Sequence, residues 1–213
     1  MPSRRWLVIA IALLTAGALG IVMVSREESQ KKAQMDAALT RLVTSAISKV
    51  RVPAESAQLY REVTSNRDCN RADATIVYSV NLEPKDICES LYSTLGKSWQ
   101  ANSCRERTGR FANNPPYVYE ALEASSEEGV LGFLLGAYRK DARAQFLPIN
   151  EYIENDVIKL ANKFGRSYFY VHVEYRGAYE RSKYPCNEGN AECYCVSSTS
   201  YESTANEVRR SLQ

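Results

Sequence analysis

Histidine is scarce in this chain, and the signatures that announce chemistry are missing. Its 213 residues hold one histidine, His172, so a histidine-rich catalytic metal site is excluded. No G-x-S-x-G, H-E-x-x-H, phosphate-binding glycine loop or G-x-G-x-x-G occurs, which removes the sequence support for a nucleophile elbow, a zincin, a P-loop and a dinucleotide site. Neither sign of charge dominates: 27 Lys and Arg against 25 Asp and Glu leave a formal net charge of +2. That balance gives no support for a nucleic-acid partner. No cofactor and no metal are expected. There is no N-x-Ser/Thr sequon, no internal repeat and no low-complexity run; the missing sequon leans towards a bacterial envelope. Cysteine is absent before Cys69, so no thiol lies near the N-terminus to carry a lipid.

Charge is absent from one stretch in particular. Trp6 to Val24 is a run of 19 residues without Asp, Glu, Lys or Arg, preceded by Arg4 and Arg5 and followed by Ser25, Arg26, Glu27 and Glu28. As a helix it would measure about 28 Å, close to the hydrocarbon thickness of a bilayer. A single span in lipid must satisfy its own backbone hydrogen bonds, which makes it helical. The reading is an uncleaved anchor at 6–24, with the lipid bilayer as its partner. A cleaved signal peptide is the rival: Ala16-Gly17-Ala18 fits a small-x-small site, but cutting there leaves L-G-I-V-M-V as an apolar N-terminus. Flanking charge does not fix orientation, since Arg26, Lys31 and Lys32 offset Arg4 and Arg5. Six downstream cysteines, an even number, suit an oxidising compartment. The expected order is therefore a cytoplasmic tail (1–5), an anchor (6–24), a juxtamembrane amphipathic helix (25–52), an extracytoplasmic α+β domain (53–176) and a cysteine-containing tail (177–213).

The juxtamembrane helix is read from Met35, Leu39, Leu42, Val43, Ala46, Ile47 and Val50, which recur at three- and four-residue steps. No Pro or Gly separates it from the anchor, and Pro53 is its expected stop. Strands are expected at Ala57–Thr64 and Ala74–Asn81. A helix follows at Pro84–Leu95, with Pro84 at its first position, Asp86 in its first turn and Ile87, Leu91 and Leu95 as its buried stripe. A strand at Ser98–Cys104 completes a βαβ unit with a right-handed crossover. Residues 105–116 read as a loop. Tyr117–Ala124 and Val130–Tyr138 read as a hairpin, in which Gly132 and Gly136 imply bulges or close packing. A second helix covers Asn150–Phe164, and Ser167–Arg176 is the clearest strand. A short helix is expected near Ala205–Leu212. This order predicts an α+β, mostly antiparallel, disulfide-bonded domain containing the split βαβ arrangement of ferredoxin-like folds with one extra strand.

Three constellations could carry function. The cysteines come first. Strand and helix directions bring Cys88 and Cys104 to one rim, which predicts a disulfide between them, although Cys104 has the opposite parity to Trp99 and Ala101 and needs a bend. Cys69, Cys186, Cys193 and Cys195 would pair among themselves in an order the sequence leaves open. The spacing C-x6-C-x-C is not a zinc pattern. The second set is Tyr168, Tyr170, His172 and Glu174, which share one strand face. With helices covering one side of the sheet only, they would line the open face, where tyrosines could stack on a sugar or peptide. The third is a basic patch of Arg105, Arg107, Arg110, Arg139, Lys140 and Arg143, suited to anionic lipid or an acidic partner.

The expected function is a single-pass, membrane-anchored extracytoplasmic protein that binds or scaffolds, with an envelope protein or wall polymer as partner. One alternative is an envelope hydrolase or transferase using His172 and Glu174. Another is a filament subunit resembling a pilin, since an apolar helix runs into an amphipathic one and then a sheet. From that pattern the chain departs: it has no Gly-Phe processing site and no Glu five residues into the mature helix.

Overall fold

Strand alternation dictates the architecture. In β7 (Ser167–Arg176) the odd residues Phe169, Val171 and Val173 are buried, and so are the even residues Tyr168 and Tyr170. A strand buried on both faces needs cover on both sides. The computed structural model supplies it, with an antiparallel sheet between helical layers. It describes residues 4–66, 70–95, 99–109, 117–126, 131–140, 147–149, 151–164, 167–176 and 200–203. Side chains are described from 25 onwards, except at 66, 109, 117, 151, 152, 176 and 200–203.

The elements run α1 (Arg4–Ser48), β1 (Ala57–Asn66), β2 (Arg71–Val80), α2 (Pro84–Thr94), β3 (Trp99–Ala101), β4 (Arg105–Gly109), β5 (Tyr117–Ser126), β6 (Leu131–Arg139), α3 (Glu151–Lys163), β7 and β8 (Ser200–Ser203). Two compact units divide the chain at Ala38/Leu39. The first is the leading part of α1. Between Ser25 and Ala38 all its side chains but that of Asp36 are exposed, and Lys31 pairs with Glu27 one turn away. Among the described residues no helix is long and apolar enough to cross a membrane. The expected 6–24 anchor lies on residues whose side chains are outside that description.

The second unit holds the sheet, ordered β3-β5-β6-β7-β2-β1-β8, with β4 continuing β3 along β5. Every pairing is antiparallel. This corrects the ferredoxin-like expectation. There, the first strand would pair with the third. Here β7 lies between β2 and β6, and the strands of the βαβ unit, β2 and β3, stand apart with β7, β6 and β5 between them. The helix α3 joins neighbouring strands β6 and β7 instead of carrying the chain to a distant edge.

One face is mostly aliphatic. The end of α1 gives Leu39, Val43, Ala46 and Ile47, and α2 gives Ile87, Cys88 and Leu91. They meet Val63, Ala72, Ala74, Ile76, Leu122, Phe133, Leu135, Phe169, Val171 and Val173 from the strands. Met35 and Leu42, expected on the same helical stripe, are 40% exposed. The helix α1 stops at Ser48, before Pro53 is reached, and closes with Lys49 and Val50 amides donating to Ala46 and Ile47 carbonyls. Pro84 opens α2 and Asp86 sits in its first turn, as expected, with Glu83 as N-cap.

The opposite face carries α3, whose Ile153, Val157, Leu160 and Ala161 pack on Tyr60, Val77, Tyr138, Tyr168 and Tyr170. The expectation of one-sided cover is therefore wrong: the stripe of α3 matches the tyrosine face of β7. Residues 105–109, read as loop, form β4. Their charges (R-E-R) hide a strand that pairs only at a sheet edge. The strand β8 was not foreseen in the tail, and the expected helix at 205–212 lies outside the described residues.

Cys88 and Cys104 form a disulfide with Cα atoms 5.9 Å apart. The needed bend is a register slip. Ala101 pairs with Ala124 and Arg105 with Ala121, so β3 to β4 gains one residue over β5, and the Asn102 amide donates to the Glu123 carbonyl within the break. Such an extra residue reverses parity, turning Cys104 to the α2 face. Cys69, Cys186, Cys193 and Cys195 lie outside the described residues.

Candidate functional site

The face that carries α3 is only partly covered, and the uncovered part is a cleft. Residues of one parity line it from four strands: Arg71 and Asp73 of β2, His172 and Glu174 of β7, Gly132 and Leu134 of β6, and Glu123 and Ser125 of β5. Pro148, leading into α3, forms its wall, and the volume is about 720 Å³.

Register explains the grouping. Asp73, Glu174, Gly132 and Ser125 form one row across β2, β7, β6 and β5. Thr75, His172, Leu134 and Glu123 form the next. Thr75 donates its hydroxyl hydrogen to the Pro148 carbonyl at 3.0 Å. Its oxygen is 2.8 Å from His172 Nδ1, so with that hydrogen committed, Nδ1 is the donor and the neutral ring is the Nδ1–H tautomer. Thr75 is thus oriented as an acceptor towards the imidazole, the reverse of a nucleophile delivering its proton to a base. Arg71 is bonded to Glu174, and Thr64 donates to Asp73 Oδ2 at 2.5 Å. On the other side, Arg107 pairs with Glu123 at 2.9 Å.

The four candidate residues of β7 therefore separate. His172 and Glu174 line the cleft. Tyr168 and Tyr170 do not: both are buried under α3, where Tyr119, Tyr138 and Tyr168 stack at 5.1 and 5.3 Å. They are core, with no face to offer a sugar. The Tyr170 ring also fills the space over Gly136, where an added Cβ would lie 2.5 Å from it. Arg71, Asp73, Thr75 and Glu123 were not singled out from sequence. Their period-two spacing is visible in β2, but only the pairing of β2 with β7 makes it a site.

The basic patch is divided. Arg105 and Arg107 alternate with Glu106 along β4, so the two arginines belong to the α3 face and Glu106 to the other. Arg139 lies on the α2 face, paired with Glu83 at 3.0 Å. Lys140 is exposed after β6, and Arg110 and Arg143 lie outside the described residues. The α2-side pocket beside Arg139, about 550 Å³, is lined by Glu83, Asp86, Glu106 and Glu120 as well as Lys85. It is more acidic than basic. Burial, then the charge of Glu106 directly across the strand pair, and more distantly Glu89, raise the Glu120 pKa against the opposing pull of Lys85.

Among the described residues no group of three or more His, Cys, Asp or Glu side chains could hold a metal. No protein-family model, curated protein or solved structure matches the chain.

Proposed function

We propose that the chain is a single-pass membrane protein whose Leu39–Gln213 unit binds or scaffolds outside the cytoplasm, held by the 6–24 helix with residues 1–5 on the cytoplasmic side. The observation that carries this reading is the use made of the polar groups in the cleft. Thr75, His172, Arg71 and Glu174 are engaged with one another or with Pro148, an arrangement that builds a surface and leaves no activated nucleophile among these described residues. The charge-free 19-residue run and the Cys88–Cys104 cystine support the anchor and the oxidising side. The partner is an envelope protein or a wall polymer.

A photo-crosslinker placed along 26–50 and activated in intact membranes tests the reading. The expected result is one abundant adduct. A specific turnover abolished by His172→Ala would overturn it in favour of a hydrolase or transferase, the second reading, which the shared cleft of His172 and Glu174 favours.

A further inference from the structure

The geometry points to the α3-face cleft as the seat of one extended organic cation, a lysine or arginine side chain presented by a partner protein. This rests on the binding role proposed above and names its site. Asp73 and Glu174 stand directly opposite each other on β2 and β7, and like charges in that position cost stability. Arg71 is bonded to one of the two, Glu174. Asp73 accepts only from the Thr64 hydroxyl and has no cationic partner among the described residues.

The floor beside this pair is bare. Gly132 is the register partner of Glu174, and a Cβ built there meets nothing nearer than the Glu174 carbonyl oxygen at 3.8 Å. At Gly136, by contrast, the missing side chain makes room for Tyr170. Packing therefore requires glycine at 136 but not at 132, and the space over Gly132 belongs to the cleft. Leu134 and Pro148 give it apolar walls. A carboxylate end with an apolar approach matches a long cationic side chain, whose methylene stem packs while its head keeps polar company. Asp73, Glu123 and Glu174 against Arg71 make the lining acidic. Arg107, which neutralises Glu123 from outside the lining, leaves it negative still. Because the carboxylates do not gather as a metal set among the described residues, an organic cation fits better than an ion.

The test uses the full chain in neutral detergent, with acetylated, amidated tetralysine as probe and tetraglutamate as control, followed by calorimetry. Tetralysine is expected to bind and tetraglutamate not. Asp73→Asn and Gly132→Val should each weaken binding at least tenfold, about 1.4 kcal/mol. Asp73→Asn should do so with an unchanged or higher thermal midpoint, since it removes the like-charge pair. If Gly132→Val fails to fold, Asp73→Asn decides alone. Wild-type affinity in Asp73→Asn, or equal binding of tetraglutamate, overturns the proposal. Carrying Asp73→Asn into the membrane crosslinking separates the two levels. Wild-type adduct yield in the variant removes the cleft but keeps the binding role, whereas no adduct from the wild-type chain removes both.

Discussion

The two faces of the sheet solve the same problem with different materials. The α2 face is closed by hydrocarbon: leucine, isoleucine, valine and alanine from α1, α2 and six strands, joined by the phenyl rings of Phe133 and Phe169, with a cystine at its margin. The α3 face is closed by tyrosine rings where α3 lies and is left polar where it does not. A helix of 13 residues covers only about 20 Å of a face. The strands beyond it carry Asp73, Thr75, Glu123, His172 and Glu174: Thr75 meets His172, while the three carboxylates take Thr64, Arg107 and Arg71 as partners. The lesson is that a layer can be structural at one end and a recognition surface at the other, along the same strand: in β7, a single residue, Val171, separates buried Tyr170 from cleft-lining His172.

The largest way to disturb the comparison is on the closed side. Replacing Cys88 and Cys104 together by alanine opens a loop with a sequence separation of 16 residues and should cost about 3 kcal/mol, measured by denaturant unfolding. Cleft binding of tetralysine should survive it. Next come the two glycines of β6, which read the α3 face directly. Gly136→Ala drives a methyl into the buried Tyr170 ring and should cost about 1–3 kcal/mol, while Gly132→Ala should stay within about 0.5 kcal/mol of the wild type. Equal costs would mean that the space above Gly132 is needed for packing after all.

The smallest effect is electrostatic and sits on the α2 side. Glu120 has a raised pKa in the folded chain, so between its unfolded and folded pKa values the folded state holds the extra proton. Its ionised form then weakens the fold above the folded pKa, and that cost disappears as pH falls through it. Glu120→Gln should raise the thermal midpoint at neutral pH, with the gain shrinking towards acid. A gain that grows as pH falls would show the sign to be wrong.

Much of this was legible in the residues. The strand at Ser167–Arg176 is found where its alternation predicts it, with Tyr168, Tyr170, His172 and Glu174 on one face, because period-two patterning is local. The helices at Pro84 and Glu151 follow from their apolar stripes and the proline at the first position of one. The cystine followed from element directions, but the one-residue slip that turns Cys104 inward did not. Less legible was anything depending on distant pairing. Helical stripes show that α2 and α3 bury a face but not which side of the sheet receives it, so nothing in the sequence shows that Tyr168 and Tyr170 are covered. Element directions group the arginines of β4 and β6 at one rim, but strand alternation and their glutamate partners part them. Asp73 and Glu174 are 101 positions apart in the chain and become neighbours only through the β2–β7 ladder.

Hydrogen exchange of the full chain in neutral detergent, with and without saturating tetralysine, compares the two faces in one measurement. Seating of the cation in the α3-face cleft predicts slowed exchange in peptides covering 71–75, 131–134 and 172–175 and no change across α2, residues 84–94. Protection of 84–94, or protection nowhere in the sheet, would contradict it.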